Sequence, residues 1–188
     1  MKTIFVSLAA AAFATPAFAG PFGVDMGDPI SSFAPKAQDN HMSTLGKVPN
    51  PHSDFESYIV VHDENGAICK IAALGKTQER DGYGMSVRTV YDRLKKGLIS
   101  KYGEPSSDHE MHLGGIWDDA DDWVMSIRQG ERYHQISWIE MPLPDDIKSI
   151  TLKVAASSSR DSYVTLSYEF TSFPACMKAV AEADNSAL

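Results

Sequence analysis

The chain has 188 residues, 43% of them hydrophobic and 22% charged, with 17 Lys and Arg against 25 Asp and Glu and a formal net charge of −8. That length and apolar content suffice for one well-formed core. The acidic balance argues against nucleic acid and anionic membrane, which are held by Lys/Arg clusters, and leaves room for a basic partner or a cationic ligand.

The N-terminus reads as an address. Lys2 is followed by the uncharged, mostly apolar run Ile4 to Ala14 and by Ala17-Phe18-Ala19, a small-x-small cleavage signal before Gly20. This is the pattern of a secretory signal peptide, too short for a membrane span and followed by no second apolar segment. The predicted organisation is therefore a signal peptide over 1–19 and a single α+β domain over 20–188, periplasmic or secreted after cleavage near Ala19. Removing residues 1–19 leaves 169 and, because Lys2 goes with them, takes the net charge to −9.

Residues 20–27 read as an extended entry. Asp28 as N-cap and Pro29 at the first helical position predict a brief helix to Phe33, ended by Pro35. Residues 36–54 carry Gly, Asn, Pro and Ser without periodicity and read as loop. Ser57 to His62 and Ala67 to Leu74 are strand-like runs around Asn65-Gly66, a strong hairpin signal. Ser86 to Tyr102 is predicted helical: Val87, Val90, Tyr91, Leu94, Leu98 and Tyr102 recur three or four apart, Ser86 caps the start, and Gly103 and Pro105 stop it. Beyond 114 the reading turns to strands. Trp123, Met125 and Ile127 alternate with other residues, then His134, Ile136 and Trp138, then Ile150, Leu152 and Val154, then Val164, Leu166, Tyr168 and Phe170. Pro174 to Asp184 reads as a closing helix. The fold class predicted is α+β: an antiparallel sheet of about six strands, hairpin plus meander, with helices packed on one face.

The two cysteines, Cys69 in a strand-like run and Cys176 near the last helix, form a disulfide if the protein is exported, and two cysteines allow one connectivity. A loop of this length is stabilised by up to ~4.7 kcal/mol in the chain-entropy view, and the bond pins the terminal helix to the sheet.

Gly84-Met85-Ser86-x-x-x-Val90 together with Tyr102-Gly103-Glu104-Pro105 resembles the helix unit of small periplasmic proteins of the BamE/SmpA type, with Thr89 where Gln or Glu is usual. Phe22-Gly23-Val24-Asp25-Met26-Gly27-Asp28 looks like a degenerate earlier copy. A tandem of two such units is similar in plan to secreted β-lactamase-inhibitor proteins. The resemblance implies a non-enzymatic binding protein.

Few constellations carry chemistry. Asp118, Asp119, Asp121 and Asp122, between Trp117 and Trp123, form an acidic string with two aromatic anchors. It reads as a solvated connection, as an interaction surface for a basic partner, or as a Ca²⁺ site, although the EF-hand order is missing. His109 and His112 stand at i and i+3, a spacing that lets both face one metal ion on a helix, but Ser106-Ser107 and Gly114-Gly115 suggest loop. His134 shares an apolar face with Ile136 and Trp138 and reads as structural, ahead of general base. Gly-x-Ser-x-Gly, His-Glu-x-x-His, Cys-x-x-Cys and a phosphate loop are absent. No catalytic residue, metal ligand or cofactor is assigned. The function expected is an exported, non-catalytic protein-binding module, such as an envelope factor, inhibitor or immunity-type protein. Trp117, Trp123, Trp138, Tyr133 and Tyr168 leave a small-molecule carrier with an aromatic-lined pocket as the alternative, followed by a metal-dependent hydrolase built on His109, His112 and the nearby Asp cluster.

Overall fold

The computed structural model describes residues 20–39 and 41–186, so the leader read at 1–19 lies outside it. The elements run β1 (Ala37–Asp39), β2 (Met42–Thr44), β3 (Phe55–His62), β4 (Ile68–Gly75), α1 (Met85–Tyr102), β5 (Ser107–His112), α2 (Trp123–Arg128), β6 (Arg132–Trp138), β7 (Ile147–Ala156), β8 (Ser162–Phe170) and α3 (Phe173–Ser186). All eight strands form one sheet in the order β1-β2-β3-β4-β8-β7-β6-β5. Every neighbouring pair is antiparallel. Two four-stranded meanders, joined by α1, meet where β4 pairs with β8. The class is the α+β predicted, with eight described strands in place of about six.

The β3–β4 hairpin turns where Asn65-Gly66 places it. Asp63 Oδ1 accepts hydrogen bonds from Asn65 N at 2.8 Å and Ala67 N at 2.9 Å, and Gly66 supplies the left-handed φ of +80°. α1 buries Val87, Tyr91, Leu94, Leu98 and Tyr102, the stripe that its spacing defines. Against it the sheet presents Ile71 and Ala73 of β4, Ile136 and Trp138 of β6, Ile150 and Leu152 of β7, and Val164 to Phe170 at alternate positions of β8, all buried. The opposite face is polar: Ser137 Oγ and Thr151 Oγ1 lie 3.2 Å apart across strands, and Lys70 pairs with Glu169 at 2.9 Å.

Several expectations give way. Residues 123–127 are helix α2, not a strand. Trp-Val-Met-Ser-Ile is too short for its period to decide. The acidic residues ahead of it favour a helix start electrostatically, and Ser126 Oγ donates back to Trp123 O at 2.8 Å. The region read as loop over 36–54 holds the short hairpin β1–β2, and 107–112, also read as loop, is β5. The brief helix begins at Ile30, not Pro29, and is a 3₁₀ turn, because Pro29 is extended and bridges Ala67.

Ser86 does not cap α1. Asp81 does so from outside, its Oδ2 accepting from Ser86 N at 2.8 Å and Val87 N at 3.0 Å. Gly84, at φ +67°, makes the turn between them, and a Cβ there would collide with the Trp123 ring.

Helices on one face describes α1 and α2 only. Phe173, which opens α3, lies 5.0 Å from Lys70 Nζ on the polar side. The Cys69–Cys176 disulfide is formed, with a Cα–Cα distance of 6.5 Å, and ties α3 to β4. No helix among the described residues is long and apolar enough to cross a membrane.

Candidate functional site: the β5 edge and its acidic loop

β5 is the last strand of the sheet and pairs with β6 alone among the described strands. Its sequence, Ser-Asp-His-Glu-Met-His, alternates two polar sets. Ser107, His109 and Met111 sit opposite Ser137, Gln135 and Tyr133, on the polar face; Asp108, Glu110 and His112 sit opposite Ile136, His134 and Arg132, on the α1 side. His109 and His112 therefore point to opposite faces of a strand and do not converge on one ion.

Past β5, Leu113 N donates to Glu131 O at 2.7 Å, and Trp117 N to Glu131 Oε2 at 3.1 Å, which ties the loop to the residue that leads into β6. Four apolar side chains stand in solvent here: Met111 at 47% exposure, Leu113 at 58%, Ile116 at 79% and Tyr133 at 44%. Burial of such surface is the ordinary fate of large hydrophobes, and clustered exposure marks an interaction surface.

The acidic string follows directly. Asp118, Asp119 and Asp121 are exposed and Asp122 half-buried. Carboxylate oxygens of Asp119, Asp121 and Asp122 lie within 4.8 Å of one another. Partial desolvation, and then the charges of Asp121, Asp119 and Asp118, hold the Asp122 carboxyl above its ordinary pKa. Beside the string a cleft of about 550 Å³ is lined by Tyr83, Trp117, Asp121, Asp122 and Met125, with Arg80 and Arg160 also in its wall.

The two tryptophans part company. Trp117 is half-exposed on this cleft, whereas Trp123 is buried at 6% exposure, with the Arg88 and Arg132 guanidinium carbons 5.1 and 5.9 Å from its ring centroid. Tyr133 is read in the sequence only as a pocket aromatic, and Met111, Leu113 and Ile116 do not stand out. Their mark is an apolar residue on each side of Gly114-Gly115, where no periodicity assigns them a core face.

His134 lies behind β5, 6% exposed, its ring 4.3 Å from that of Tyr91 and 5.4 Å from that of Trp123. Glu110 Oε1 approaches Nδ1 to 3.3 Å, but neither ring nitrogen makes a hydrogen bond among the described residues. Burial pushes its pKa below the ordinary value; Glu110 and Asp92 pull the other way, while Arg88 and Lys95 add to the fall. A neutral imidazole packed between two aromatic rings is core, as its apolar face suggests. Comparison with known proteins returns no matching family model, no matching curated protein and no matching solved structure.

Proposed function

We propose that this chain is an exported, non-catalytic protein-binding module that seats a basic partner on the β5 edge and the loop to Asp122. The observation that carries the reading is the grouping of Met111, Leu113, Ile116 and Tyr133, all exposed, at a strand edge that no other described strand pairs, beside Asp118, Asp119, Asp121 and Asp122. An apolar centre with a charged flank is the anatomy of a partner surface, and the free edge offers backbone groups to an added strand. The Cys69–Cys176 bond suits an oxidising compartment, which supports export. The resemblance of the α1 caps to the BamE/SmpA type favours the same class, with envelope factor, inhibitor and immunity-type protein as its specific forms.

Immobilised protein and an Asp118, Asp119, Asp121, Asp122→Asn variant are to be exposed to the same envelope extract. The reading expects a basic protein retained by the unsubstituted chain, released by salt and not held by the variant. Identical retention by both, or retention of nothing beyond a charge-matched control, would remove it.

A further inference from the structure

On the α1 side of the sheet lies a second, separate feature, a pocket of about 230 Å³. Its walls are Phe22, Phe55, Leu94, Leu98, Leu166 and Tyr168. The Phe22 ring meets Phe55 edge-on at 5.6 Å and Tyr168 at 5.9 Å. Phe22 has a left-handed backbone, φ +59°, which non-glycine residues avoid and which recurs at ligand clamps. Of the aromatic residues from which an aromatic-lined pocket was expected, only Tyr168 lines it.

The rim is basic in an acidic protein. Arg93, Gly97 and Lys101 follow one another at i, i+4 spacing on α1, so a glycine sits in the row between two cations. Gly97 has no positive φ to satisfy, and a Cβ on it would meet nothing within 4 Å. Glycine weakens a helix interior. Neither backbone conformation nor packing calls for it here; what its missing side chain leaves is an open mouth.

Asp54 occupies Nε and Nη2 of Arg93, at 3.3 and 2.6 Å, and leaves Nη1 free. Lys101 makes no ion pair among the described residues. His52 accepts from Asp54 N through Nδ1 at 3.2 Å, which leaves Nε2–H as a donor. Two cations against one carboxylate leave a single positive charge over an apolar chamber, the complement of an amphipathic monoanion.

We infer that this pocket binds a small amphipathic carboxylate, its aryl or short acyl body among Phe22, Phe55, Leu98 and Tyr168 and its charge on Lys101 and Arg93. At the packing of benzene in an apolar cavity, 230 Å³ takes a body of about ten non-hydrogen atoms. The site is independent of the β5 edge and stands whether or not a protein docks there.

The test is calorimetric titration of the oxidised protein with 3-phenylpropanoate and hexanoate, beside 3-phenylpropanamide and 3-phenylpropylamine. Melting temperature is to be followed in parallel. Saturable binding of the carboxylates is expected, about tenfold tighter than the amide, with no binding of the amine. Gly97→Leu should keep or raise the melting temperature of the free protein and abolish binding, and Lys101→Gln should weaken it about tenfold. The inference is overturned if neither carboxylate saturates at millimolar concentration, if the amide binds as tightly, or if a folded Gly97→Leu binds unchanged.

Discussion

A single buried carboxylate decides where α1 begins. Asp81 stands three residues before Gly84 and satisfies the Ser86 and Val87 amides, two of the donors that every helix start leaves open. Asp81→Ala is therefore expected to cost about 1–2 kcal/mol, and Ser86→Ala less than about 0.5 kcal/mol, in urea denaturation. The reverse order would restore Ser86 as the cap. The sequence shows a capping residue at 86, but a carboxylate reaching back across a turn leaves no local spacing to read.

His134 sets a pH dependence whose sign follows from its burial. With its folded pKa held below the ordinary 6.5, the unfolded chain takes up a proton in a range where the folded chain does not. The contribution is complete above about pH 6.5 and is lost as pH falls below it. His134→Phe keeps a ring between Tyr91 and Trp123 and removes this part of the acid slope. Comparing urea midpoints at about pH 7.5 and 5 for both proteins checks it; an equal fall in the two would mean that His134 protonates alike in both states.

At the scale of elements, legibility follows how strongly one face is buried. α1 and the strands β3, β4, β7 and β8 are readable because each turns one side to the core over most of its length, and β6 because its apolar residues Ile136 and Trp138 fall on that side. β5 is not, since it turns Asp108 and Glu110 one way and His109 and Met111 the other, with little buried on either side. α2 is misread for a different reason: Trp123 to Ile127 is apolar enough for both periods. Of the six residues of the candidate site, Trp123 alone lies in that segment. Asp118, Asp119 and Asp121 are at the surface as the sequence suggests, whereas Trp123 follows α2 into the core.

The disulfide joins two elements that otherwise touch lightly. Cys176 sits in the first turn of α3 and Cys69 at the start of β4. Replacing both by Ala is expected to cost about 2–5 kcal/mol. Loss of amide protection should appear in α3 before the sheet, read by hydrogen exchange. Uniform loss across β4, β7 and β8 would make the bond a clamp on the whole sheet.

The molecule as a whole separates two surfaces by charge. A formal net charge of −8 is spread over the chain, but the exposed apolar residues Met111, Leu113 and Ile116 precede the densest acidic stretch, at the far end of the sheet order from the β1–β2 hairpin. The basic row Arg93 and Lys101 lies on α1, over Phe55 of β3 and Tyr168 of β8. A basic protein steered by the acidic loop would thus meet the β5 edge first, and its association should slow as ionic strength rises.

The most direct measurement places a photocrosslinking side chain at Ile116 in one protein and at Thr165, on the polar face of β8, in another, and irradiates both in cells that make them. A discrete adduct is expected from position 116, absent at 165 and lost when Asp118, Asp119, Asp121 and Asp122 become Asn. No adduct at 116, or the same adduct from both positions, would contradict docking at the β5 edge.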